Sequence, residues 1–319
     1  MSCYHPLQAF WRSVHRDAIT FDASQSATKI PFQLPCGRCI GCRMEKARQW
    51  GLRCMNEAKM WRSSYYVTLT YNDEMMPPGG TVCLRDVQLF MKKLNKLQSG
   101  DVWKNPVTGK VKRSPRYFLG AEYGDENRRP HYHALLFNVS FGDLSHHANN
   151  KRGEPLYVSK TLSDLWGNGF ASLGAVTFDS AVYCAKYALK KLSISDNSSM
   201  EAREEYERRY VVYDADGIVY DRDREFAVMS RCPGIGMLYY EKYGGEIRSH
   251  DNLIVNGRKV RPPRYYDTKS AAIDPDGFAR IQSARKRQAV LAKPDNTPER
   301  LEVKEKIAEI AAAKQERKL

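Results

Sequence analysis

The sequence predicts an α+β fold, a central antiparallel sheet with helices packed on one face and the other face open for a ligand. Three observations carry this. Runs rich in β-branched and aromatic residues occur at 65–71, 116–123, 130–137 and 170–176. Apolar residues at helical spacing mark 40–62, 87–97 and 179–192. The resulting order, strand, helix, strand, strand, strand, helix, suits a layered sheet with short connections. Three stretches follow: an N-terminal segment, 1–62; a core, 63–192; and a basic C-terminal extension, 193–319.

Residues 1–35 lack periodicity and are expected to wrap the surface. Next comes Cys36-Gly37-Arg38-Cys39-Ile40-Gly41-Cys42. This CxxCxxC run is compact and broken by glycine, so several sulfurs can turn toward one centre. Cys3, or His5, would complete a four-ligand structural Zn²⁺ site with Cys36, Cys39 and Cys42. Three reduced thiols at a helix start are the simpler reading. Ile40, Met44, Ala47, Gly51, Cys54, Ala58 and Trp61 then follow helical spacing, with Arg43, Lys46, Arg48, Arg53 and Lys59 on the other sides.

Tyr65 to Tyr71 reads as a strand, ended by Asn72-Asp73 and by Pro77-Pro78-Gly79-Gly80. Val87, Phe90, Met91, Leu94 and Leu97 make a second amphipathic helix, and 99–114 reads as a basic loop. Arg116 to Tyr123 is a strand, and a polar loop joins it to Arg128-Arg129-Pro130-His131-Tyr132-His133-Ala134-Leu135-Leu136-Phe137. Side chains alternate along a strand, so His131 and His133 leave the same face, a spacing that suits one metal ion. If the two strands form a hairpin, Glu122 lies opposite His131 or His133, about 4.5–5.5 Å away at Cβ. Glu122 is then the natural third ligand, with Asp125 and Glu126 as neighbouring carboxylates. Mixed His/carboxylate ligation suits Mn²⁺ and admits Mg²⁺.

Residues 139–169 read as an irregular polar connection, with His146 and His147 at the surface. After the 170–176 strand, Asp179 or Ser180 can cap a helix through Leu192. Tyr183 and Tyr187 share one helix face, and Lys186 and Lys190 each follow a tyrosine by three residues. A buried aromatic pair does not need those lysines, whereas a tyrosine nucleophile benefits from them, because nearby ammonium favours phenolate. A charged helix near 200–209, a hairpin from Tyr210 to Tyr220 and a helix from Pro298 capped by Thr297 complete the reading.

The net charge of +14, from 51 Lys+Arg against 37 Asp+Glu, suggests a polyanionic partner, nucleic acid first. Arg128, Arg129 and Lys191 flank the histidine and tyrosine elements and are the residues placed to meet phosphates. No GxxxxGK[ST] run occurs, which excludes a P-loop motor. No apolar run is long enough to span a bilayer, and the first residues have no signal-peptide pattern. The expectation is a cytoplasmic protein with reduced cysteines.

The His-Tyr-His strand, the upstream Glu122-Tyr123-Gly124 and the Tyr183 to Lys191 helix resemble the HUH endonucleases of rolling-circle replication. Together with Cys36 to Cys42, Thr68-Leu69-Thr70-Tyr71, Met229 to Gly236 and Pro263-Arg264-Tyr265-Tyr266, they are similar to the replication initiators of small single-stranded DNA phages of the microvirus group, gokushovirus type. The resemblance implies an HUH (RRM-like) nuclease fold and metal-dependent nicking at a phage origin. It also implies covalent attachment to the 5′ end and later religation, in the cytoplasm of a bacterial host and alongside a host helicase. By the same resemblance His131 and His133 are metal ligands, Tyr183 and Tyr187 nucleophiles, and Lys186 their support. Two other classes compete. One is a 2-His-1-carboxylate oxygenase, which does not call for so basic a chain. The other is a non-enzymatic basic zinc protein, which binds DNA without cutting it.

Overall fold

The computed structural model describes every residue except 1–2, 16, 98–102, 105–110, 113–114, 125–126, 188–198, 214–215 and 317–319. The chain divides into two compact units, Met1–Lys46 with Asp274–Leu319, and Ala47–Ile273. The first begins with β1 (Leu7–Trp11), β2 (Ile19–Thr20) and β3 (Phe32–Leu34), a small sheet ordered β2-β1-β3. The sequence reading expected no regular structure here. The strands are too short for alternation to show, and in β1 two buried residues, Ala9 and Phe10, are adjacent. Trp11 stacks on Phe32 across the sheet at 4.7 Å. Helix α1 (Ile40–Ala58) carries the chain into the second unit.

That unit holds β4 (Ser64–Thr70), α2 (Leu84–Leu97), the small pair β5 (Trp103–Lys104) and β6 (Val111–Lys112), β7 (Arg116–Tyr123) and β8 (Pro130–Phe137). It continues with β9 (Ser145–Asn149), β10 (Pro155–Val158), α3 (Lys160–Trp166), β11 (Ala171–Ala175) and α4 (Phe178–Tyr187). Then come α5 (Met200–Tyr210), the hairpin β12 (Val211–Tyr213) and β13 (Val219–Asp221), and β14 (Ala227–Met229). Helix α6 (Met237–His250), the hairpin β15 (Leu253–Val255) and β16 (Arg258–Val260), and α7 (Arg264–Ile273) close it. The first unit resumes with α8 (Pro275–Leu291) and α9 (Pro298–Glu316). No helix among the described residues is long and apolar enough to cross a membrane.

Seven strands form one antiparallel sheet ordered β14-β7-β8-β4-β11-β10-β9. The α+β class and the antiparallel sheet agree with the sequence reading; helices on one face only do not. On one face Val67, Leu69, Leu119, Ala134 and Leu136 pack with Val87, Phe90 and Leu94 of α2 and Trp166 of α3. On the other, Phe118, Leu135 and Phe137 pack with Ala47 and Cys54 of α1 and Ala181, Cys184 and Ala185 of α4. The cause is in β8 itself, which is apolar on both sides beyond His133. Burying one such side chain contributes roughly 1.5–3 kcal/mol, so both faces need cover.

The 139–169 stretch, expected to be irregular, supplies β9, β10 and α3. Strand β9 is an exposed edge, Ser145-His146-His147-Ala148-Asn149, so no apolar alternation announces it. Helix α3 is announced only by its cap, where Ser159 accepts from Leu162 N. Most of 99–114 and the end of the predicted tyrosine helix, beyond Tyr187, lie outside the described residues.

One buried carboxylate joins three elements of the second unit. Glu57, near the end of α1, accepts from Trp61 Nε1 at 3.0 Å and from Arg116 Nε of β7 at 2.5 Å. Its second oxygen accepts from Gly236 N, before α6, at 2.7 Å. Arg116 also donates to the Pro233 carbonyl at 2.7 Å. Glu57→Ala leaves the buried Arg116 charge unpaired and is expected to cost about 3–5 kcal/mol. Urea unfolding of the purified variant measures it, and an unchanged midpoint would contradict the structural role.

Candidate active site

The site is set by how β7 and β8 pair. The turn between them is closed by Gly124 N donating to Arg129 O at 2.9 Å and Arg128 N donating to Gly124 O at 3.1 Å. Arg128 takes the left-handed conformation, φ 48°, that this turn requires. In the resulting register Glu122 stands opposite His131, and Gly120 opposite His133. Strand β4, on the other side of β8, places Thr68 opposite His133 and Thr70 opposite His131. Directly opposed residues share a face, so Glu122, His131, His133 and Thr68 all rise from the α1/α4 side of the sheet. The register therefore takes the first of the two pairings that the sequence left open, although the Glu122 carboxylate leans diagonally onto His133.

His133 is buried and held at both ring nitrogens. Nε2 lies 2.7 Å from Glu122 Oε1, which is also buried. Nδ1 lies 2.7 Å from the Tyr66 hydroxyl and 3.3 Å from Thr68 Oγ1. Burial raises the Tyr66 phenol well above its ordinary range, so its proton stays in place to donate to Nδ1. His131 is half-buried, and its Nδ1 lies 2.6 Å from the Arg129 carbonyl. A carbonyl only accepts, so Nδ1 carries the proton and Nε2 keeps its lone pair. Metal-ligating histidines are commonly oriented in this way, one nitrogen pinned to a carbonyl or hydroxyl and the other presented. Gly124 gives that ring room, because a Cβ there would come within 3.1 Å of His131 Cε1.

Helix α4 brings the tyrosine. Thr177 Oγ1 accepts from Ser180 N at 3.1 Å while Ser180 Oγ accepts from Thr177 N at 2.8 Å. The cap is therefore Thr177, not Asp179 or Ser180 acting alone. Ala181, Cys184 and Ala185 form the buried stripe on the sheet, and Cys184 Sγ donates to the His133 carbonyl at 3.0 Å. Gly51 of α1 lets α4 lie close, since a Cβ there would meet Val182 Cγ2 at 2.6 Å. With that stripe docked, the Tyr183 ring sits edge-on to His133, centroids 5.3 Å apart, and 6.4 Å from the Tyr66 ring. One half-buried phenol is thus placed beside the histidine–carboxylate pair.

Other predicted residues are placed less directly. Lys186 is half-buried on α4, and Tyr187 ends that helix, while Lys190 and Lys191 lie outside the described residues, as do Asp125 and Glu126. Arg129 donates to the Tyr71 carbonyl at 3.2 Å and to Asp73 at 2.5 Å, and the Arg128 carbonyl accepts from Arg222 at 3.4 Å. Tyr66, Thr68 and Cys184 were not anticipated. Tyr66 and Thr68 share a parity on β4, but only its pairing with β8 shows what that parity faces. For Cys184, the stripe Ala181-Cys184-Ala185 at helical spacing was the available signal.

A second cluster stands in the first unit. Cys3, Cys36, Cys39 and Cys42 put their sulfurs within 4.8 Å of one another. His5, the alternative fourth member, instead pairs with Glu305 at 2.6 Å.

Burial holds the His131 imidazole below its ordinary value of 6.5. The unfolded chain therefore binds this proton more readily than the folded one. The stability His131 contributes is present above 6.5 and is lost as pH falls through its lower folded value. NMR titration of the metal-free protein should find this ring titrating below 6.5. An inflection at or above that value would contradict the burial argument.

Comparison with known proteins gives the same picture. Residues 64–192 match the family model for replication-associated proteins of the ORF2 type, a span from β4 past the tyrosine helix. The replication-associated protein VP4 of Bdellovibrio phage phiMH2K is 32% identical over 271 residues, 83% of this chain and 76% of that protein. The replication-associated protein ORF2 of Spiroplasma virus 4 is 27% identical over 311 residues, covering 91% and 87%. The corresponding ORF4 protein of Chlamydia phage 1 is 22% identical over 253 residues, covering 77% and 55%. No solved structure matches the chain. The chain belongs to the family of phage replication-associated proteins.

Proposed function

We propose that this protein initiates phage rolling-circle replication as a site- and strand-specific DNA nickase and ligase of the HUH type. The observation that carries the reading is the placement of Tyr183 beside His133, on a helix hydrogen-bonded to the His133 backbone. A phenol held against a histidine–carboxylate face is the arrangement that transesterification of a phosphodiester needs. The homologues' names support a role in phage replication. The net charge of +14 supports a nucleic-acid substrate.

The donor set fits a hard or borderline divalent ion: one buried carboxylate and two imidazoles pinned at their far nitrogens. Glu122, His131 and His133 would hold Mg²⁺ or Mn²⁺, which when bound polarises the scissile phosphate. The protein's own part is positioning. Tyr66 and the Arg129 carbonyl fix the two imidazoles, and Cys184 fixes α4 against β8. The Tyr183 oxygen attacks phosphorus; a bond from phosphorus to the phenolic oxygen forms as the bond to the 3′ oxygen breaks. The phenolic proton is given up and the leaving oxygen takes one, so the products are a 5′-phosphotyrosyl strand and a free 3′-hydroxyl. Bond number and charge are conserved, so religation by the reverse step needs no nucleotide hydrolysis. Lys186 favours the phenolate by its charge. Tyr187 provides a second nucleophile for a successive transfer, with Lys190 in the same role as Lys186. Arg128, Arg129 and Lys191 track the phosphates. The reaction takes place on single-stranded origin DNA in the bacterial cytoplasm, where a host helicase supplies the unwinding.

Incubating the full chain with single-stranded origin DNA and Mn²⁺ or Mg²⁺ should yield a covalent protein–DNA band on a denaturing gel. Tyr183→Phe combined with Tyr187→Phe should abolish it. A double variant that still nicks and stays attached would sink the mechanism, and DNA binding without any cleavage would favour a non-enzymatic binding protein. Tyr66→Phe removes the partner of His133 Nδ1. It should weaken metal dependence by roughly 10–100-fold, seen as a higher Mn²⁺ concentration for half-maximal nicking. An unchanged Mn²⁺ curve would exclude Tyr66 from the positioning role.

A further inference from the structure

The four cysteines of the first unit have no part in strand transfer, and their geometry asks for an occupant. Cys36 and Cys42 sulfurs are 4.0 Å apart, and all four lie within 4.8 Å of one another. In a tetrahedral site with Zn–S about 2.3 Å the sulfurs are about 3.8 Å apart, so a small contraction suffices. A disulfide needs about 2.05 Å, and all four thiols are free. A polynuclear iron–sulfur cluster spreads its cysteines over several irons, whereas sulfurs this close converge on a single point.

The backbone around them is arranged for thiolates. Cys36 N donates to Cys3 Sγ at 3.2 Å, Cys39 N to Cys36 Sγ at 3.3 Å and Tyr4 N to Cys39 Sγ at 3.4 Å. Gly37, at φ +77°, makes the left-handed turn that folds the CxxC loop back on itself. The Cys39 carbonyl accepts from Arg43 N, which starts α1, so Cys39 and Cys42 lie at the positive end of a 19-residue helix. Charge-assisted N–H bonds and the helix end both stabilise negative sulfur. Four thiolates at this spacing would still repel one another without a cation among them.

We infer that Cys3, Cys36, Cys39 and Cys42 bind one Zn²⁺ in a closed tetrahedral site that holds the N-terminal sheet segment to the first turn of α1. Four protein sulfurs leave no open position for substrate, so the site is structural. The segment needs such a fastening. Of its described residues before α1, the buried apolar ones are Cys3, Ala9 and Phe10. So small a core contributes little by itself, and small folds of this kind commonly depend on a metal.

Native mass spectrometry of the full chain, purified without chelator, should show one zinc per chain and no disulfide. Four thiols should become newly reactive to a thiol reagent when zinc is stripped, and cobalt exchanged into the site should show the absorption of tetrahedral thiolate coordination. Cys42→Ser should lose the bound metal, while Cys232→Ser, at an exposed cysteine outside the quartet, should keep it. These readouts on the unmodified chain stand even where a cysteine variant misfolds. A folded, metal-free chain whose quartet thiols are freely reactive, a mass lowered by disulfide formation, or bound iron in place of zinc would each overturn the inference. The assay reads metal and thiols rather than DNA cleavage, so it is independent of the nickase reading.

Discussion

The pairing of β7 with β8 is the constraint on which the candidate site depends. In antiparallel pairing a shift of one residue turns every side chain to the opposite face. The register that sets Glu122 opposite His131 therefore decides whether a carboxylate and two imidazoles meet at all. Two devices hold it. The turn uses backbone bonds between Gly124, Arg128 and Arg129, with Arg128 in a conformation that most residues avoid. Beyond the site, Leu135 and Phe137 on one face and Ala134 and Leu136 on the other are fully buried, so a slip would expose one set and bury none better.

The double burial of β8 has a consequence for chemistry. Because both faces of the sheet must be covered, α4 has to lie on the histidine side, and its apolar stripe is short and small: Ala181, Cys184, Ala185. Small residues bring the helix close, and Gly51 permits the same approach from α1. Tyr183 is then carried to the rim of the contact, against His133, instead of into the core. Packing and positioning are one event here. The thiol-to-carbonyl bond from Cys184 to His133 ties the two elements at the point where their distance matters most. Burial keeps that thiol protonated and hence a donor.

The cysteine quartet shows a different economy. Burial alone would push the Cys39 thiol up. The Tyr4 and Cys42 amides and the neighbouring thiols outweigh it and hold this one sulfur at about 6. Burial and its sulfur neighbours push Cys42 up to about 12. Close thiols titrate as a group, and one ionises at the expense of the next. A small sheet with few buried side chains draws its order from such a cluster, whereas the seven-stranded sheet draws its order from two apolar faces.

Local pattern was enough for several features of this protein. Period two put His131 and His133 on one face, helical spacing put Cys184 in line with Ala181 and Ala185, and the CxxCxxC run clustered three sulfurs. Those relations span a few residues and are set by backbone geometry alone. The edge strands β9 and β10 and the sheet at β1–β3 were not legible, because short or solvent-facing strands carry no alternation. Nor were Tyr66 and Thr68, some 65 residues from His133 in the chain, whose contacts exist only because β4 pairs with β8. The choice of Cys3 over His5 belongs to the same class, since His5 is taken up by Glu305 of α9, far along the sequence. What the sequence determined by itself was which chemical groups exist and which way each points within its own element. Which of them meet was decided by the tertiary structure, because strand order and two-sided burial are properties of the whole sheet rather than of any segment.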